Sequence, residues 1–204
     1  TLHTPENLPA ISIGERVEQS VEGGIETSRW VQSRPFDYAS LNIGRFKVWE
    51  YEHALVPPVR VHMNEAAHSR LPLRAQQRNP QAFVADDIAK SLAFFQSNLG
   101  ELSQEELTIT EIPYRHGQAF PGMIHLSFLT FGMSKEESVN QLFRAHEVAH
   151  QWWGITVRPR SPRDWWLAEG MSQFSALWYL EVLQGNNEDA LEEFLRYRDR
   201  IRDR

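Results

Sequence analysis

Cysteine is absent from the 204 residues. That excludes a disulfide framework, a thiolate metal site and a cysteine nucleophile, so any bound metal must be held by His, Asp or Glu. No apolar run approaches the roughly 18 residues that a membrane-spanning helix needs. Positive charge is in the minority, with 21 Lys and Arg against 27 Asp and Glu, a formal net charge of −6. This balance argues against a nucleic-acid binder or a cationic membrane-surface protein. Internal repeats and low-complexity tracts are missing, and Gly14, Gly23, Gly24 and Gly44 form no phosphate-binding pattern. The chain opens at Thr1 with no initiator Met, signal-peptide core or twin-Arg pattern. It therefore reads as a processed or excised form, with neighbouring segments expected outside it. No compartment follows from any of this.

What is present fits a globular protein: 41% hydrophobic, 24% charged and 11% aromatic residues, with seven tryptophans for a packed core or an aromatic cleft. The first 65 or so residues read as strands and turns. FKVWEY (46–51) and VRVHM (59–63) alternate with the two-residue period of a half-buried strand, and Gly23-Gly24 and Pro57-Pro58 read as turns. Residues 64–78 are polar and patternless, as expected of a linker. Asn79-Pro80 then signals a helix start, Val84, Ile88, Leu92, Phe95 and Leu99 recur at helical spacing, and Gly100 supplies the stop. LTITEIPY (107–114) and MIHLSFL (123–129) read as short strands. Ser134 and Glu137 form a capping-box pair before a helix whose buried stripe is Val139, Leu142, Phe143, Ala149 and Trp153. Ser161-Pro162 opens another helix, apolar on most faces, and a last amphipathic helix is expected at 188–204.

The chemistry is concentrated in HEVAHQWWG (146–154). His146 and His150 stand four apart in a helix, so their side chains project from one face, one turn apart. Two neutral imidazoles so placed can both reach one zinc ion, while Glu147 between them points aside and can take a proton from a water there. One histidine on an apolar face is ordinarily a hydrogen-bonded core residue; two at this spacing with Glu between them shift the balance toward a metal site, though HExxH also arises by chance. A third ligand is required, and WWLAEG (165–170) offers Glu169. An acidic residue in a strongly apolar helix needs a partner, and a zinc ion would be one. Two His and one Glu leave a fourth position open, as catalysis rather than structure demands.

HExxH, then eighteen residues, then Glu within W-L-x-E-G resembles the zinc signature of the alanyl aminopeptidase family, gluzincins of the aminopeptidase N type. HEVAHQWWG and DWWLAEGMSQF match that pattern, and SRPFDYASLNIGRF (33–46) is similar to the family's last strands before its catalytic domain. The resemblance implies an α+β chain. Residues 1–78 would be the end of a β-rich N-terminal domain plus linker, and 79–204 a mostly helical, thermolysin-like zincin catalytic domain truncated at its C-terminal end. It implies His146, His150 and Glu169 as metal ligands for one Zn²⁺ per chain, Glu147 as catalytic general base, and peptides as substrates. The family's G-x-M-E-N segment is placed at PGMIHLS (121–127). Met123 and His125 are then weak substrate-contact candidates, and Ile124 stands where the Glu that grips a free amino group belongs. The family's oxyanion tyrosine lies further along than Tyr179 and Tyr197, in a missing C-terminal part expected in the full-length chain.

The expected function is zinc-dependent hydrolysis of peptide bonds, aminopeptidase-like. Loss of the amino-binding Glu leaves open a zinc endopeptidase or a catalytically weak zincin-like module kept for binding or structure. Trp152, Trp153, Trp165 and Trp166 are expected to pack around the zinc site. RYRDRIRDR (196–204) alternates Asp with Arg, which reads as a salt-bridged helix face. His3, His53, His62, His68 and His116 lack ligand spacing.

Overall fold

A computed structural model of the chain describes residues 1–68, 79–113, 116–131 and 137–184, with positions 192 and 195. The first strands build small antiparallel sheets. β1 (Leu2–Pro5), β3 (Glu15–Glu22) and β4 (Ile25–Val31) lie in the order β1-β4-β3, and β2 (Ala10–Ser12) pairs with β5 (Leu41–Ile43). Gly23 and Gly24 join β3 to β4 with φ of 59° and 78°. A two-residue hairpin turn of this hand needs positive φ at both positions, so the Gly-Gly turn is where it was expected.

The larger sheet has the order β6-β7-β8-β10-β9, from β6 (Lys47–His53), β7 (Val56–Met63), β8 (Leu107–Ile112), β9 (Gln118–Phe120) and β10 (Met123–Ser127). β7, β8 and β10 run parallel, and β6 and β9 flank them antiparallel. The turn between β6 and β7 falls at Ala54 and Leu55. Pro57 and Pro58 are therefore not a turn, as expected, but lie within β7. The register against β6 shifts between Tyr51 and His53, and pairing with β8 starts only at Val59. The prolines thus sit at a bulged, singly paired strand start, where a missing N–H is tolerated.

β6 and β7 lie before the expected division at 78/79, and they share one sheet with β8. Of the expected linker, Glu65–His68 forms a short helix, α1, whose buried His68 pairs with Glu111 at 2.9 Å. Residues 69–78 lie outside the described residues.

Between β7 and β8 the chain crosses over as α2 (Pro80–Leu99), capped by the Asn79 side chain, which accepts from the Ala82 N–H at 3.2 Å, and ended by Gly100 at φ 99°. Val84, Ile88, Leu92 and Phe95 are fully buried, as their spacing predicts. α3 (Glu137–Ala149) follows, then α4 (Trp165–Gln184), entered through a 3₁₀ turn at Pro162–Asp164. Leu142, Ala145, Val148 and Ala149 of α3 join the core, which also takes Ile109, Ile124 and Leu126 from the sheet. Val139 does not belong to that stripe, being 40% exposed. α4 buries Ala168, Ala176 and Leu180 but leaves Trp166, Leu167, Phe174 and Val182 exposed. Ser134 and, apart from positions 192 and 195, residues 185–204 lie outside the described residues. The capping box and the last helix fall there.

One buried ion pair fastens α3 to α2. Arg144, with no exposed surface, donates from Nε to Asp87 Oδ2 at 2.6 Å and from a terminal nitrogen to the Thr130 carbonyl at 2.8 Å. Gln141 adds a bond to Asp87 Oδ1 at 2.8 Å.

On β10, alternate residues face opposite ways. Ile124 and Leu126 meet the helices, while Met123 packs with Ile11 and Ile13 of the N-terminal segment. His125 is held between Ser40 Oγ at 2.7 Å and Thr110 Oγ1 at 2.5 Å. Burial, helped by nearby His116, pushes the pKa of His125 down to about 4. A depressed histidine pKa means that the unfolded chain takes up its proton first. The stability is therefore present above pH 6.5 and lost as pH falls toward 4. A shift of this size in one group corresponds to on the order of 3 kcal/mol. Urea unfolding between pH 7 and 4.5 is predicted to show falling stability with a shallower slope in His125→Gln; an unchanged slope would show that His125 does not titrate in this window.

Candidate metal centre

The last turn of α3 carries the pair of imidazoles. The His150 N–H bonds to the His146 carbonyl at 3.2 Å, so the helical path continues through His150 and aligns both rings. Their Nε2 atoms are 3.0 Å apart. Packing of α4 against α3 brings Glu169, in the second turn of α4, to the same point. Its Oε2 lies 3.4 Å from His146 Nε2 and 3.6 Å from His150 Nε2. These three residues form the one group among the described residues with potential metal-ligand atoms converging in this way.

The residues fit a zinc ion. Four ligands at 2.0–2.1 Å in a tetrahedron stand about 3.3–3.4 Å apart, close to the observed triangle. The chemistry of the donors agrees. His150 Nδ1 faces the Trp153 carbonyl at 2.9 Å, which can only accept, so Nδ1 carries the proton and Nε2 turns its lone pair toward His146. Ser172 Oγ, 3.0 Å from the same Nδ1, supports that orientation. A backbone carbonyl behind a ligating imidazole is the usual way of fixing its tautomer.

The electrostatics of the cluster are strongly coupled. The imidazoles of His146 and His150 facing it hold the Glu169 carboxyl far below the usual carboxylate range. For His150, burial works downward, but Glu169 and the Trp153 carbonyl outweigh it, and the pKa is raised. Burial pushes the Glu147 carboxyl up, against the pull of both histidines. Glu169 itself is 60% exposed. Glu169 is therefore not buried, contrary to the expectation from its apolar helix, and its place in the cluster rests on geometry.

The Trp-Trp-Gly that follows His150 has a structural reason. Gly154, at φ 105°, opens a tight turn in which Gly154 N–H bonds Val157 O and Val157 N–H bonds Trp152 O. That turn presents the Trp153 carbonyl to His150. Trp152 is buried and donates to the Gly100 carbonyl at 3.0 Å, and Trp153 donates to Ser175 Oγ at 2.9 Å. Trp165 packs near Gly154, but Trp166 is 68% exposed and does not pack around the site as expected.

The strand bordering the cluster is β9, and sequence reasoning placed that role on β10. Met123 and His125 lie on the sheet face opposite α3, one packed in the N-terminal core and the other with both ring nitrogens engaged. The structure does not bring them to the triad. Ile124 is fully buried beneath the helices. β9 carries no carboxylate either, being Gln118, Ala119 and Phe120. Two further residues went unnoticed. Fully buried Gln151 donates to the Phe120 carbonyl at 3.1 Å and accepts the Gly122 N–H at 3.1 Å, fastening the β9–β10 turn to the end of α3. Gly117, just before β9, lies against the general-base candidate. A Cβ there would meet Glu147 Oε1, its Cδ at 2.6 Å and Phe143 Cζ at 2.7 Å. The Pro121-Gly122 turn signal between two short apolar runs was the available clue to this hairpin.

Residues 128–202 match the model of the Peptidase family M1 domain. The fold is that of solved M1 zinc metallopeptidases. The crystal structure of the enzyme from Deinococcus radiodurans superposes with a TM-score of 0.66 at 20% identity, covering 96% of this chain and 42% of that one. A mutant of the same enzyme bound to a Tyr-Ser-Ala substrate gives a TM-score of 0.69 at 20% identity, covering 98% and 43%. The resemblance read from residues 146–170 is borne out, as is the α+β fold class. The chain spans less than half the length of these structures.

Gly117→Ala is predicted to displace the Glu147 carboxylate by roughly 1 Å, the shift that restores a normal contact of about 3.5 Å. His146, His150 and Glu169 should stay in place. A crystal structure of the variant with an unmoved carboxylate would mean that Gly117 is not its seat.

Proposed function

We propose that this chain carries the zinc centre of a metal-dependent peptidase. The observation that carries the reading is the convergence of His146 Nε2, His150 Nε2 and Glu169 Oε2 at 3.0–3.6 Å beside buried Glu147. His146, His150 and Glu169 would hold one zinc ion. When bound, the metal makes a water molecule acidic near neutral pH and polarises the scissile carbonyl. Glu147 receives the proton from the attacking water and passes it to the departing amine. Its burial suits both steps, because a carboxylate whose pKa is raised is a better base and, once protonated, a useful acid. The Trp153 carbonyl and Ser172 hold the His150 ring while this happens, and Gly117 leaves room for the carboxylate.

The family resemblance supports aminopeptidase action on free N-termini. Endopeptidase action is favoured by one observation, that among the described residues the wall of the cavity beside the triad carries no carboxylate except Glu169. Matched peptides with free and acetylated N-termini separate the two, since an aminopeptidase cleaves only the free form.

Elemental analysis of protein purified without a histidine tag is expected to give one zinc per chain, and less than a tenth of that in Glu169→Ala. Equal zinc in both would remove Glu169 from the site. Glu147→Gln is expected to keep its zinc and lose about 10²–10⁴-fold in kcat, the usual contribution of a positioned base. Undiminished hydrolysis by that variant would end the assignment of Glu147.

A further inference from the structure

We infer that the cavity next to Glu169 is a subsite for a large apolar side chain, aromatic above all, on a residue flanking the scissile bond. One wall comes from the N-terminal stretch between β4 and β5. The inference rests on the peptidase reading and adds to it the class of substrate.

The cavity has a volume of about 210 Å³, room for one side chain rather than for a folded segment. His150 and Glu169 form part of its wall, so a group filling it belongs to a residue beside the bond being cut. The rest of the wall is chiefly apolar: Phe36, Tyr38, Phe120, Ile155 and Trp165, with Ala119 of β9. Such a lining, with few polar groups, favours burial of hydrocarbon, and ring edges set against ring faces favour another ring.

Phe36 and Tyr38 come from a segment more than a hundred residues before α4, and they are held in place rather than merely nearby. The two rings meet edge to face with centroids 6.3 Å apart. Arg158, beyond the Gly154 turn, pairs with the Asp37 carboxylate and lays its guanidinium over the Phe36 ring, 5.3 Å from the centroid. One arginine therefore latches the aromatic wall to the segment that follows the metal-binding helix. The latch also sets the sign of the site. Arg158 already occupies one face of Phe36 with positive charge, so the cavity is poorly suited as an aromatic cage for a second cation.

The test uses peptides identical except for one residue, Phe, Leu, Ala, Lys or Glu, at each position flanking the cleaved bond. Wild type is expected to favour Phe over Ala in kcat/KM by about tenfold or more at one of the two positions, the scale on which an apolar pocket discriminates by size. Tyr38→Ala and Trp165→Ala should bring that ratio toward one. Tyr38 and Trp165 are 57% and 37% exposed, so the fold is not at stake in either variant. The ratio is the readout, because loss of a purely structural residue lowers all peptides together. Equal losses across the series, the absence of any preference, or a preference for Lys would each overturn the proposal. If wild type cleaves none of the peptides, the peptidase reading fails separately. The cavity is then judged by saturation-transfer NMR on the metal-free protein. Signals from phenylalaninamide that exceed those from alaninamide and vanish in Tyr38→Ala support it, and equal signals overturn it.

Discussion

The buried pair Arg144–Asp87 is the interaction on which the arrangement of this protein turns. A guanidinium with no exposed surface is tolerable only where its charge is matched and its donors are used. Here Asp87 and the Thr130 carbonyl take that part, with Gln141 completing the carboxylate. Arg144 lies in the turn of α3 just before His146, and Asp87 lies on α2. The pair sets the rotation of α3 against α2 and so the direction in which the metal-ligand candidates point. A methionine in its place would fill similar volume, but it would leave Asp87 charged, buried and without its main partner, a state that costs about 3–5 kcal/mol.

From that anchored helix the site is assembled by a series of short-range contacts. His150 is turned by a backbone carbonyl three residues on, Gln151 grips the hairpin that carries β9, and Gly117 gives up a side chain so that Glu147 has space. Each contact involves a residue in or next to HEVAHQ, and each fixes a neighbour to within a hydrogen bond. Preorganisation of this kind would keep the proposed metal ligands and general base in register without rearrangement. Beyond the triad, the cleft is finished by distant chain, Phe36 and Tyr38 from the N-terminal segments and Trp165 from α4. Charge pairing through Arg158 holds those pieces together at the surface, where a single exposed ion pair contributes little by itself. The stacked guanidinium and the packed rings share the task.

Helices and their ends were readable wherever the cause was local. Asn79-Pro80 and Gly100 bounded α2, and Gly23-Gly24 formed its hairpin, because caps and tight turns depend on residues within a few positions of one another. Pro57-Pro58 misled for the converse reason. Whether a proline ends a strand depends on whether its neighbour strand needs the N–H, and at the bulged start of β7 none does. Val139 fits a helical stripe by spacing, yet remains exposed, since burial requires a partner surface and not only periodicity. β9 was missed because three residues are too few to show a period, and its role passed to the longer, more apolar β10.

The sequence alone determined the chemistry of the centre. Two histidines one helical turn apart, a glutamate between them and another after eighteen residues define a donor set by spacing and residue type, which folding can orient but not change. Tertiary structure decided what surrounds that centre: which strand borders it, that Glu169 stands exposed rather than buried, that Gly117 lies against Glu147, and that a wall of aromatic rings arrives from the other end of the chain. Those are contacts between residues tens to more than a hundred positions apart. Their energies depend on where the backbone returns, and no local pattern of residue types records it.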